Sequence, residues 1–254
     1  MSKKVIIYLN FISLLATILV NYLLNTGTMN SNTMKSISDR YFNMFTPAGY
    51  AFSIWGIIYL LLIAHTIYSF YQLTKKNNSS IIDSIGLTFI ATNVVNCLWV
   101  YFWLNDAILV CLILMIVLLI LLLSILLNSQ QLQPKIAVRN LFITCPFALY
   151  AGWVSVALIA NTAVWLTKIE WQPIIFTEAG WAMCLTIIAG IIGVFISWKY
   201  NAIAFGVAVA WGVAAVAVSN FNENFNIVIT AVIVCIAILS VCLYRLMHKI
   251  IPTD

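Results

Sequence analysis

Three short stretches of this sequence set aromatic rings and side-chain amides at helical spacing. Phe52, Trp55 and Tyr59 lie three and four apart, as do Asn96, Trp99 and Trp103, while Tyr150, Trp153, Ala157 and Asn161 follow at three, four and four. Residues so spaced share one face of a helix. Aromatic walls carrying a few hydrogen-bonding groups suit a pocket for a flat apolar ligand. The same stripes would equally serve as interior packing, with interhelical amide bonds of about 0.6–2 kcal/mol each.

Other chemistry is missing from the sequence. Apart from cysteines, His65 is the one ionisable side chain well inside an apolar run, whereas proton and ion pathways place carboxylates, cations or a series of histidines there. A lone histidine in that setting is expected to make one interhelical hydrogen bond. No catalytic triad, metal motif or glycine-rich phosphate loop is visible, so neither catalytic nor metal-binding residues are assigned. Cys97, Cys111, Cys145, Cys184, Cys235 and Cys242 all fall in apolar runs without paired spacing and read as small apolar residues.

The elements that must position the stripes follow from composition. The chain of 254 residues is 64% hydrophobic and 7% charged, against about a quarter charged in soluble domains. Its apolar runs are Val5–Leu24, Ala48–Tyr71, Ile85–Leu104, Ala107–Leu127, Leu141–Thr162, Gly180–Trp198, Ala202–Ser219 and Ile227–Tyr244. Each approaches the roughly 20 residues that span a bilayer as a helix. Stretches apolar on every side, such as 108–125, are not the alternating strands of a membrane barrel. The expected fold is all-α, a polytopic transmembrane bundle of about eight spans.

Charge orients it. With eight spans, Lys3, Lys4, Lys75, Lys76, Lys135, Arg139, Lys199, Arg245 and Lys249 fall on one side, and Lys35, Arg40 and Lys168 on the other, nine against three of the chain's 12 basic residues. Positive residues mark the cytoplasmic side, so both termini are expected in the cytoplasm, of a bacterial plasma membrane. The net charge of +5 then reflects orientation, and no nucleic-acid partner is expected. The first apolar run lacks a small-x-small cleavage site before Asn25 and reads as an uncleaved span.

Between the runs, Thr26–Thr46 is a long polar connector that would serve equally as a lid or an unstructured loop. Only Asn105–Asp106 separate the third and fourth runs, which predicts a tight antiparallel pair. The connector from Ala163 to Ala179 carries Trp165, Trp171 and Pro173, residues suited to the membrane–water interface. Small residues four apart, Ala148 and Gly152 in the fifth run and Ala204, Ala208 and Gly212 in the seventh, predict close helix–helix approach. A sterol-type pattern at Val241, Tyr244 and Lys249 carries no weight by itself.

The three stripes together resemble the TspO/MBR family, the tryptophan-rich sensory proteins related to the mitochondrial translocator protein. The resemblance rests on Pro47-Ala-Gly-Tyr50-Ala-Phe52-Ser-Ile-Trp55-Gly-Ile-Ile-Tyr59, on Asn96-Cys-Leu-Trp99, and on Tyr150-x-x-Trp153-x3-Ala157-x3-Asn161. This chain departs from the family's Pro-Pro pair, having Pro47-Ala48, and its Trp55 comes one residue early. The resemblance implies a five-helix bundle over residues 1–165, followed by an additional three-helix segment over 166–254. It also implies a pocket under the first loop for a tetrapyrrole such as protoporphyrin, lined by Tyr50, Phe52, Trp55, Tyr59, Asn96, Trp99, Trp103, Tyr150, Trp153, Ala157 and Asn161.

The expected function is a membrane receptor or sensor for a flat hydrophobic ligand, with no required cofactor and a tetrapyrrole as ligand. The alternative is a transporter of a small neutral or amphipathic solute, and light-dependent porphyrin breakdown comes third. Expected partners are membrane lipid, a hydrophobic small molecule and a second copy in a homodimer.

Overall fold

The computed structural model describes residues 2–27, 31–74, 80–131, 140–172 and 175–250. Among these residues the secondary structure is helical throughout: α1 (Lys3–Asn25), α2 (Met34–Arg40), a 3-10 turn (Gly49–Ser53), α3 (Ile54–Thr74), α4 (Ser80–Leu104), α5 (Ile108–Gln131), a π turn (Asn140–Thr144), α6 (Cys145–Lys168), α7 (Glu178–Lys199), α8 (Ile203–Ser219) and α9 (Phe225–Ile250). Each apolar run falls mainly on one of these helices, the second beginning at the 3-10 turn and the fifth in the π turn. Lys75, Lys76, Lys135, Arg139 and Pro173, used in the charge and interface readings, lie outside the described residues.

Among the described residues, seven segments are long and apolar enough to cross a bilayer: Lys3–Asn25, Gly49–Thr74, Ile85–Leu104, Ile108–Ser129, Leu141–Lys168, Glu178–Lys199 and Phe225–His248. The eighth, α8, is apolar but has 17 residues, the lower limit for a span. Large apolar side chains face outward along the helices, with Leu60 at 68%, Ile120 at 61% and Ile236 at 61% exposure. A surface of this kind needs hydrocarbon around it. The chain is an integral membrane protein.

Contacts divide the chain into two compact units, residues 1–37 with 55–151, and residues 38–54 with 152–254. In the first unit, α1 packs on α4 and α4 on α5. The α4–α5 turn closes as expected on Asn105–Asp106: Asp106 takes a positive φ of 61°, and Ala107 N–H reaches back to the Phe102 carbonyl at 3.0 Å. Such a left-handed residue ends a helix while satisfying its last carbonyls. Half of the polar connector is also ordered here. Thr33 and Ser36 cap α2 reciprocally, each side-chain oxygen accepting from the other's backbone N–H at 2.8–3.0 Å.

His65 of α3 fills a gap left by proline. The carbonyl of Phe142 would ordinarily accept from the N–H four residues on, but that residue is Pro146, which has none. The intervening backbone is a π turn, and the His65 Nδ1 lies 2.8 Å from the Phe142 oxygen as its replacement donor. The expected interhelical bond is therefore present, and its cause is local backbone chemistry.

In the second unit α7, α8 and α9 pack on one another, with α8 the most enclosed: Phe205, Ala208, Val209, Val213, Ala215 and Val216 are all fully buried. The small-residue spacing does what it predicts. A Cβ placed on Gly152 of α6 would lie 2.9 Å from Phe205 Cα and 3.0 Å from Ala208 Cβ, and one on Gly212 would lie 2.7 Å from a Val156 methyl. Only hydrogen fits at these crossings.

Candidate ligand-binding site

In the first unit the predicted rings converge. Trp55 at the start of α3 stacks on Tyr59 with centroids 5.7 Å apart, lies 6.2 Å from Trp99 of α4, and meets Tyr150 of α6 edge-on at 5.5 Å. Trp99 stacks in turn on Trp103 at 5.8 Å. Trp55, Trp99, Trp103 and Tyr150 are buried, so four rings from three helices form one continuous cluster with Tyr59 at its side. The far end is covered by the first connector, where the Trp103 indole N–H donates to the Met34 carbonyl at 3.2 Å and Asn32 donates to the Leu104 carbonyl at 2.9 Å. That half of the connector is thus a structured cover, where the sequence left a lid and a loop equally open.

The amides of this cluster reach a stripe on α1. Asn21 donates to the Asn96 side-chain oxygen at 2.8 Å and to the Thr17 carbonyl at 2.9 Å. One turn away, Asn93 donates to the Ser13 hydroxyl at 2.9 Å, and the Cys97 thiol to the Thr17 hydroxyl at 3.4 Å. Ser13, Thr17, Asn21 and Asn93 went unassigned in the sequence. Their signal was nevertheless the same one: Ser13, Thr17 and Asn21 are four apart on an otherwise apolar span.

The cluster holds polar atoms that nothing among the described residues satisfies. Trp55 Nε1, the Tyr59 hydroxyl, Asn96 Nδ2 and Asn21 Oδ1 are buried without a hydrogen-bond partner. Native structures rarely leave such groups unmatched, and each one costs about 1–3 kcal/mol unless something pairs with it.

The remaining predicted residues belong to the second unit. Phe52 lies in the 3-10 turn, so it does not continue the α3 face; its ring meets Trp153 at 6.3 Å. Tyr50 is 42% exposed and packs edge-on against Trp211 of α8 at 5.2 Å. Ala157 is half-buried and Asn161 buried, the latter donating to the Ala157 carbonyl at 2.9 Å. Trp153 Nε1 is likewise buried without a partner. The whole stretch is strapped to α8: Ala48 N–H donates to the Ala215 carbonyl at 2.9 Å, Trp211 Nε1 to the Ala51 carbonyl at 3.1 Å, and Asn220 to the Met44 carbonyl at 2.9 Å.

A separate cleft of about 320 Å³ lies in the second unit among Phe42, Met44, Leu166, Trp171 and Trp181, with Glu170 and Glu178 on its wall. Trp171 and Trp181 face each other there at 5.4 Å. Among the described residues, no group of three His, Cys, Asp or Glu side chains is placed to hold a metal ion.

These features define a class, a polytopic helical membrane protein whose buried interior carries a tryptophan–tyrosine–asparagine cluster under an ordered loop. A model of the family described as TSPO-like protein matches residues 6–244, and the chain belongs to that family. The match runs on through α7, α8 and most of α9. No curated protein and no solved structure matches the chain.

Proposed function

We propose that this protein is a membrane receptor or sensor that binds a flat, hydrophobic, tetrapyrrole-type ligand among Trp55, Tyr59, Asn96, Trp99 and Tyr150. The observation that carries the reading is the set of unpaired polar atoms inside the ring cluster, Trp55 Nε1, the Tyr59 hydroxyl and Asn96 Nδ2. A porphyrin such as protoporphyrin offers large π faces for the tryptophans and propionate carboxylates at its edge, acceptors for two N–H donors and a hydroxyl. Membership of the TSPO-like family supports the same ligand class.

The test is titration of the purified protein with protoporphyrin, followed by the shift of the porphyrin absorption band. The expected result is saturable binding that weakens at least tenfold in Tyr59→Phe, Asn96→Ala, equivalent to about 1.4 kcal/mol. Identical titrations for wild type and variant would reject the site. Liposomes separate a receptor from a transporter, since a receptor binds porphyrin without accumulating it in the lumen.

A further inference from the structure

In the second unit α7 and α9 approach closely at Gly190, where an added Cβ would lie 2.6 Å from a Val234 methyl. Beside this crossing the two helices leave a groove of about 420 Å³, walled by Ile191, Val194, Phe195 and Trp198 of α7 and by Val234 and Ala237 of α9. Apart from the Trp198 indole N–H, no polar side chain lines it. Ile191, Phe195 and Trp198 are exposed, at 62%, 52% and 48%. The groove starts at Ile187, and from there to Trp198 a helix rises about 16 Å. That is about half of the roughly 30 Å hydrocarbon core, the depth of one leaflet.

The groove ends in cations. The Arg245 guanidinium lies 4.7 Å from the Trp198 ring centroid and donates to the Trp198 carbonyl. The Lys199 ammonium lies 5.2 Å from the Phe195 ring. Tyr244 stacks on the other side of this corner, 5.3 Å from Trp198, and carries the His248 ring at 3.9 Å. Arg245 Nε has no partner. Within α7 and α9 the one carboxylate is Glu178, at the first position of α7, about 31 Å from Lys199 along the helix.

An apolar channel one leaflet deep that terminates in two cations on aromatic rings matches a single molecule end to end. We infer that this groove is a binding site for one anionic phospholipid, its acyl chain lying along Ile187–Trp198 and its phosphate meeting Arg245 and Lys199. Basic pockets between membrane helices recognise anionic headgroups in this way. The cation–ring contacts preset both side chains, so that little ordering is needed when the phosphate arrives.

Native mass spectrometry of the full chain in mild detergent tests this, with added phosphatidylglycerol compared with phosphatidylcholine of identical chains. The expected result is one tightly retained phosphatidylglycerol, favoured at least tenfold over phosphatidylcholine. Arg245→Gln, Lys199→Gln should abolish that preference, and Ile191→Trp, which fills the groove from an exposed position, should reduce retention of both lipids. Lys199→Gln alone, on an exposed side chain, should lower the preference in a protein whose melting temperature is unchanged. Equal retention of the two lipids by wild type, or an undiminished preference in the charge variants, would overturn the inference. So would a wild-type dimer that Ile191→Trp converts to monomer, because the groove would then be a contact between copies.

Discussion

In the first unit α3 is held to its neighbours by rings, Trp55 on Trp99 and Tyr150, and His65 on Phe89 and Phe147 at 5.8 and 4.9 Å. In the second unit α8 lies against α6 and α7 where glycines remove the side chain altogether, Gly152 against Phe205 and Gly206 against Ser197 and Cys242. Lipid tails are as apolar as leucine, so neither arrangement draws on a hydrophobic driving force between helices; van der Waals contact and hydrogen bonds must hold both. The two kinds of packing differ in what they leave over. Backbone-close glycine crossings leave no gap and no spare polar atom at the contact. Rings that meet edge-on keep helices apart and bring N–H and O–H groups inside with them, and in the first unit two of these, Trp55 Nε1 and the Tyr59 hydroxyl, stay unpaired beside the Asn96 amide. The ligand proposal falls on the first unit because its unpaired groups share one ring cluster; the second unit holds unpaired indoles of its own, at Trp153 and Trp181.

The contrast is broken most completely if α8 does not cross the membrane. A cysteine at Asn222, introduced into a cysteine-free chain, should react with an impermeant thiol reagent on intact cells, and one at His248 should be protected. The opposite pattern would leave seven spans and place the C-terminus outside. Next in size is the glycine crossing. Gly152→Leu drives a side chain into the Phe205 backbone and should cost about 3 kcal/mol or more, seen as loss of folded protein in a thermal melt. Gly56→Ala is its control in the first unit: an added Cβ there meets nothing within 4 Å, and the change should stabilise α3 by up to about 1 kcal/mol.

The proline gap sharpens the account of the ring-packed unit. His65→Leu strands the Phe142 carbonyl and should destabilise by about 1–3 kcal/mol. The same substitution in a Pro146→Ala background should cost measurably less, because residue 146 then supplies the missing N–H. Equal costs in the two backgrounds, measured by a double-mutant cycle, would mean the histidine is doing something else. The smallest effect is expected at the α1–α4 stripe, where Asn21→Leu removes one interhelical bond worth about 0.6–2 kcal/mol, read from the melting midpoint.

The membrane fold was legible because hydrocarbon leaves the backbone few choices, so an apolar run of about 20 residues is close to a structural assignment by itself. The α4–α5 turn and the Gly152 and Gly212 crossings followed from two residues and a four-residue spacing respectively. The candidate site was legible only in pieces. Helical spacing correctly joined Trp55 to Tyr59 and Trp99 to Trp103, but it carried Phe52 onto the same helix face when a 3-10 turn intervenes. Spacing also treats a stripe as a unit, whereas Tyr150 and Trp153, three residues apart on α6, fall in different compact units. What one helix meets is decided by distant chain, and period alone does not encode it. The Asn21–Asn96 bond, between residues 75 apart, is of that kind.

Distance along the chain has a further consequence at the strap that binds residues 38–54 to α8. Ala51 waits for Trp211, 160 residues later, and Met44 for Asn220, 176 residues later. At synthesis rates of about 5–20 residues per second, roughly ten to thirty seconds pass between the appearance of the segment and that of its partner. The remainder of the first unit, residues 55–151, is made within that interval, while the second unit must wait for its last three helices. A ribosome stalled just before α8 would therefore carry a first unit with all its own chain present and, between its two stretches of sequence, a segment whose docking surface had not yet been made.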